Sequence, residues 1–100
     1  MQIISLKALR TFWAIHPDAE APLKRWQAIV SKTQFPDFNA LRVTFPSADV
    51  VKNGRGASLT VFNIHGNKYR LIAAIHYNRN ILYVRYILTH AEYDKGKWKT

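Results

Sequence analysis

Residues 58–90 decide which folds are open to this chain. "SLTVFNIH" (58–65), "KYRLIAAIHY" (68–77) and "ILYVRYILTH" (81–90) are three successive runs rich in β-branched and aromatic residues. Such residues suit a pleated, half-buried surface. Gly66-Asn67 divides the first two runs, which is a two-residue hairpin signal, and a short "NRN" turn divides the second from the third. The result is a three-stranded meander, and a sheet with an apolar face must bury that face against another layer. The covering layer is upstream. "MQIIS" reads as a short strand, after which Ser5 can cap a helix. Leu6, Leu9, Trp13 and His16 recur at helical spacing, with Phe12 beside them, and Pro17 stops the run. Asp18 is the expected cap of a second helix through about Thr33, with Leu23, Trp26, Ile29 and Val30 on one face. Trp13 and Trp26 read as core anchors. Residues 34–57 are less regular: "FPDF" and "TFPS" are turns around proline, and "NGRG" is a flexible loop. The predicted order is β-α-α-β-β-β, an α+β domain whose mainly antiparallel sheet carries two N-terminal helices on one face. A chain of 100 residues suits one core, and residues 1–100 read as a single domain.

Charge narrows the choice of partner. Fifteen Lys and Arg against six Asp and Glu give a net charge of +9. No acid occurs between Val50 and Ala91, yet Lys52, Arg55, Lys68, Arg70, Arg79 and Arg85 do. One-signed charge interleaved with aromatics is the footprint of a protein that meets nucleic acid. A well-solvated basic surface or an acidic protein partner also satisfies it. The absence of cysteine excludes disulfides and thiolate metal sites and fits the cytoplasm. His16, His65 and His76 have no zinc-motif spacing, so no metal and no cofactor is expected. No apolar run approaches the roughly 18 residues of a membrane span, and the opening "MQIISLKALR" is not expected to act as a signal peptide.

Alternation along the strands assigns faces. Tyr69, Leu71, Ala73, Ile75 and Tyr77 share the side expected under the helices, and Lys68 and Arg70 the other. In the last strand Leu82, Val84, Tyr86 and Leu88 are expected on one side, with Tyr83, Arg85, Ile87 and Thr89 on the opposite one. This pattern predicts Arg70 and Arg85 on one open face with Lys68 beside them, where the planar guanidinium suits phosphate. Arg55, in the two-glycine loop, and Lys52 extend the basic surface. "NGRG" backbone N–H groups can also order on a phosphate, though an ordinary connector has the same composition.

The last strand ends unusually. "LTHAEYDKGKW" (88–98) replaces the expected Gly, Asn, Pro or Ser with groups that move protons, stack or hold anions. If residues 90–94 turn helically, His90, Tyr93 and Asp94 share a side at i, i+3 and i+4; if they stay extended, His90 and Tyr93 diverge. A strand-end histidine is more often a plain surface group, a tyrosine more often packing, and Glu92 with Asp94 a solvated acidic pair. Glu92 is the alternative partner that orients His90.

"FNIHGNKYRLIAAI", "ILYVRYILTHAEYDKGKW" and "HPDAEAPLKRW" together resemble the HigB-type toxins of bacterial toxin–antitoxin pairs, in the RelE/ParE superfamily. The resemblance implies an RelE-like fold and a metal-independent endoribonuclease, an mRNA interferase that cuts messenger RNA on the ribosome. It also implies a HigA-type helix-turn-helix antitoxin as partner. It places Arg70 at the scissile phosphate and His90 and Tyr93 in the active site, with Lys95 and Lys68 nearby.

The residues suit that chemistry. RNA cuts itself when its 2′-hydroxyl attacks the adjacent phosphorus. The reaction needs a proton taken from that hydroxyl, charge stabilised on phosphoryl oxygens, and a proton given to the leaving 5′-oxygen. Arg70, aided by Arg85 or Lys68, supplies the charge. His90 is the best acid or base, because imidazole changes charge near neutrality. A phenol, with a pKa of about 10, is a poor base, so Tyr93 is suited to stacking or to orienting a phosphate. Lys95 can hold a phosphate or protonate the leaving oxygen. Two other readings remain: a ParE-like poison of DNA gyrase without catalysis, and a simple nucleic-acid-binding module.

Overall fold

The computed structural model describes residues 1–99; Thr100, the last position of the expected domain, lies outside the described residues. Ser5 starts helix α1 (Leu6–Ile15), its hydroxyl accepting from Lys7 N–H at 3.1 Å. Pro17 ends that helix, and a 3₁₀ turn over Pro17–Ala19 leads into α2 (Glu20–Lys32). Asp18 does not cap α2: its side chain leaves the turn and reaches the sheet.

The sheet has five strands: β1 (Gln2–Ile4), β2 (Asp49–Lys52), β3 (Ser58–Ile64), β4 (Tyr69–His76) and β5 (Ile81–Thr89). Their order is β1-β5-β4-β3-β2, with β1 parallel to β5 and the other pairs antiparallel. The α+β class and helix-covered sheet are as the hydrophobic pattern requires. Leu9, Leu23, Trp26 and Val30 from the helices meet Phe62, Leu71, Ala73 and Leu82 from the sheet. Complete burial of a side chain such as Leu71, with no exposed surface, contributes about 1.5–3 kcal/mol.

The prolines of residues 34–57 concealed two regular elements. Helix α3 (Phe38–Thr44) begins at Asp37, whose carboxylate accepts from Ala40 N–H at 2.9 Å. Leu41 is fully buried, and Phe38 and Phe45 pack on the core, so the spacing 38, 41, 45 was the available signal. Strand β2 pairs only with β3 and forms one edge.

The sheet's second face differs from the expected open platform. A bulge lies where β4 passes from Ile72 to Ala73: Ile72 pairs with Tyr86 and Ala73 with Val84, leaving Arg85 as the extra residue. One extra residue inverts every side chain beyond it. Val84 and Leu82 therefore face the helices on one side of the bulge and Ile87 on the other, while Tyr86 and Leu88 join Ile72 and Arg70 on the outer face. That outer face is itself partly covered. After the terminal helix α4 (His90–Lys95), a 3₁₀ turn over Lys97–Lys99 lays Trp98 over Leu59, Val61 and Ile72. A second, smaller apolar cluster results, sealed by Tyr93 and Leu88. Among the described residues, no helix is long and apolar enough to cross a membrane.

Candidate active site

Helix α4 exists because its first turn caps itself. The Thr89 hydroxyl accepts from Glu92 N–H at 3.2 Å, and the Glu92 carboxylate accepts from Thr89 N–H at 2.9 Å. This reciprocal pair satisfies two backbone donors that a helix start leaves free. The Thr89 bond also holds the Glu92 carboxyl below its usual range. Gly96, at φ +71°, closes the helix in the left-handed conformation that glycine adopts without strain. Glu92 is therefore occupied, and the residue that orients His90 is Asp94. His90 Nδ1 lies 2.9 Å from Asp94 Oδ2, one turn along the helix. Among the described residues, Nε2 of this half-exposed imidazole has no hydrogen-bond partner. The His90 N–H donates to Lys68 O at 3.0 Å, which ties the start of α4 to the start of β4.

Arg70 is on the outer face as expected, but it is not open. It is only 8% exposed. Its guanidinium donates to Asn67 Oδ1 at 2.5 Å, to Asn67 O at 3.1 Å and to Tyr69 O at 3.2 Å. Three of its five donors are thus engaged, leaving a minority for an anion. Its Cζ lies 5.4 Å from the centroid of the Tyr93 ring. Trp98 stacks on the same ring at 5.1 Å with an interplanar angle of 16°, and its indole N–H donates to Tyr93 O at 3.0 Å. Tyr93 is therefore packed between neighbours, and its hydroxyl rather than its ring face is left for a substrate. Tyr93 of α4 meets Arg70 directly, and His90 lies one turn before it in the same helix, on the side that residues 90 and 93 share.

The remaining basic residues divide. Lys68 turns away from Arg70 to pair with Asp18. Asp18 also accepts from the Tyr69 hydroxyl, and His65 Nε2 stands 3.9 Å away. The bonds from Lys68 and Tyr69 pull the Asp18 carboxyl from 3.8 down to about 2, and the same contact raises Lys68. Lys95 ends α4, exposed, beside Tyr86 and Trp98. Arg85 projects from the bulge on the far side of Trp98, so it does not neighbour Arg70; with Arg55 it lines a separate groove. Lys52 pairs with Ser58 on the edge strand, and by alternation it points to the helix side of the sheet, away from Arg70. The "NGRG" backbone is committed too. Asn53 Oδ1 accepts from Arg55 and Ala57 N–H, each at 2.9 Å, and Gly54 N–H donates to Lys99 O. Asp94 and Asp18 are the site residues that strand alternation could not supply. The i, i+4 spacing from His90 was the signal for the first, and for the second there was none, because Lys68 lies fifty residues away in sequence.

The Asp18 pair makes an acid-stability prediction. A carboxyl depressed to about 2 when folded contributes stability above its ordinary 3.8 and loses it as pH falls toward about 2. Asp18→Asn is expected to show a flatter dependence of Tm on pH across that window, and the difference should shrink in high salt because the pair is exposed. A gap between the two proteins that stays constant with pH would remove the pairing as its source.

A basic α+β domain with this strand order and a His–Tyr terminal helix over a β4 arginine is RelE-like. The profile of HigB toxins, described as the RelE-like toxic component of a toxin–antitoxin system, matches residues 19–96. The chain is 31% identical over 94 residues to "mRNA interferase toxin HigB" of Escherichia coli (strain K12), an alignment covering 94% of this chain and 88% of that protein. The same figures hold for "mRNA interferase HigB" of Shigella flexneri. A relative of that name from Escherichia coli O6:H1 is 30% identical over 95 residues, 95% of this chain and 90% of its own length. The chain belongs to the HigB toxin family, and membership implies a cognate antitoxin.

Proposed function

We propose that this chain is an endoribonuclease toxin that cuts mRNA by attack of RNA's own 2′-hydroxyl, and that it acts on the translating ribosome in the cytoplasm. The observation that carries the reading is the meeting of α4 with β4: α4 holds a histidine oriented by an aspartate, and its Tyr93 ring lies against the buried Arg70 of β4. Family membership supports it, as do relatives bearing the name mRNA interferase. In the first step a base takes the 2′-hydroxyl proton, O2′ bonds to phosphorus, and the bond to O5′ breaks as that oxygen is protonated. The products are a 2′,3′-cyclic phosphate and a 5′-hydroxyl end. His90 Nε2 serves one proton transfer. Arg70 offers its remaining donors to the phosphoryl oxygens, where charge develops in the transition state. The Tyr93 hydroxyl orients the phosphate, and Lys95 steadies the leaving side. Residues 1–100 act as one toxin domain, and a HigA-type helix-turn-helix antitoxin neutralises it.

Expression in cells tests the reading. A nuclease arrests translation and leaves mapped cuts in mRNA, and His90→Ala abolishes both while the purified variant stays folded by circular dichroism. DNA damage and blocked replication without RNA cuts would instead assign the ParE-like gyrase reading. Neither phenotype, with binding retained in His90→Ala, would leave only a nucleic-acid-binding module.

A further inference from the structure

The outer face carries a second basic region that the α4 site does not use. A groove of about 490 Å³ runs between the 53–57 loop and β5, and Arg55, His76, Arg85, Tyr86 and Trp98 are among the residues lining it. Aspartate and glutamate are absent from its described lining. Among the described residues neither Arg55 nor Arg85 has a side-chain hydrogen bond or ion pair, whereas the Arg70 guanidinium is largely engaged. The backbone beneath both cations is fixed. The β5 bulge projects Arg85, and the bonds to Asn53 Oδ1 hold the loop under Arg55. Holding a loop in its bound shape reduces the ordering cost of binding. Tyr86 is 41% exposed, unusual for a large apolar ring in this chain, and Tyr83 and His76 meet edge to face at 5.4 Å beside it.

This groove adjoins a second one that runs to Lys95 of α4. Tyr86 and Trp98 also line the neighbouring groove, together with Leu88, Glu92 and Lys95 of the α4 region. A strand leaving α4 past Lys95 thus reaches Arg85 and Arg55 by skirting Trp98. We infer that the groove is a second subsite for single-stranded RNA, taking the nucleotides that flank the cut, with phosphates on Arg85 and Arg55 and a base against Tyr86. Paired guanidiniums beside an exposed aromatic ring are what single-stranded backbones and unstacked bases recognise. The inference rests on the ribonuclease reading and adds to it where substrate outside the reacting phosphate is held.

Binding of two fluorescent RNAs tests it, with 2′-O-methyl sugars so that neither can be cut. One has about a dozen nucleotides and the other three. Anisotropy titrations at several salt concentrations give the slope of log K against log salt, which for single strands falls by about 0.7 per phosphate contact. Arg55→Ala/Arg85→Ala is expected to reduce the slope for the longer RNA by about 1.4, two contacts' worth, and to leave the trinucleotide unchanged. Arg55→Gln/Arg85→Gln repeats the measurement should the alanine variant fail to fold. An unchanged slope on the longer RNA overturns the subsite. Equal losses on both lengths overturn it as well, because the arginines then belong to the site at α4. If the unaltered protein shows no salt-dependent binding to either RNA, the subsite is overturned, while the ribonuclease reading is decided separately by the mapped cuts in cells.

Discussion

His90→Ala lowers RNA cleavage about 10²–10⁴-fold, the range a positioned proton-transfer group contributes. Stability should change by no more than about 0.5 kcal/mol, as for other surface replacements, because the imidazole side chain is 44% exposed and is bonded only to Asp94. Asp94 acts through the imidazole by fixing which nitrogen faces the substrate, so Asp94→Ala should cost less than His90→Ala. The double variant should be no worse than His90→Ala alone, because residues that serve one function are not additive. The measurement is cleavage of a mapped RNA substrate by the four proteins of the cycle, alongside Tm for each. Independent, multiplying losses would detach Asp94 from the imidazole, and full activity in His90→Ala would remove the histidine from the chemistry.

Arg70→Ala has the second large effect, and it acts on two properties at once. Loss of a donor aimed at developing charge costs about 10²–10³-fold in rate. The same substitution leaves Asn67 Oδ1 and two backbone carbonyls without their cation, and hydrogen bonds to charged groups are each worth about 1.5–3 kcal/mol. Asn67 is exposed, so water recovers part of that. The variant is expected to be both slow and less stable. Arg70→Lys keeps the charge but not the planar fork, and falls between on both measures. Rates taken well below each variant's Tm separate the effects. If Arg70→Ala cuts RNA at the normal rate whenever it is folded, the guanidinium is a staple between the β3–β4 turn and α4 and takes no part in catalysis.

These two residues show where sequence reasoning reaches and where it stops. Alternation in β4 put Arg70 on the face away from the helices because strand periodicity is local. Nothing local indicated that a tryptophan twenty-eight positions later would return to cover that face and press Tyr93 onto the arginine. The pairing of Arg85 with Arg70 failed for a related reason. A bulge is one surplus residue in a ladder, defined only against the partner strand, so β5 alone reads as unbroken alternation. Lys68 looked free because its partner, Asp18, resembled a helix cap.

The sequence by itself determined the α+β class, the two helices over the meander, the basic character and the gathering of proton-transfer groups at residues 90–95. All of these follow from short-range periodicity, turn chemistry and composition, which each residue carries with it. Only the tertiary structure decided that β1 lies parallel to β5, that Trp98 splits the outer face into two basic regions, and that Asp94 rather than Glu92 holds His90. Those outcomes depend on which surfaces exclude water together and which polar groups find partners once buried, and both are set only when distant segments meet.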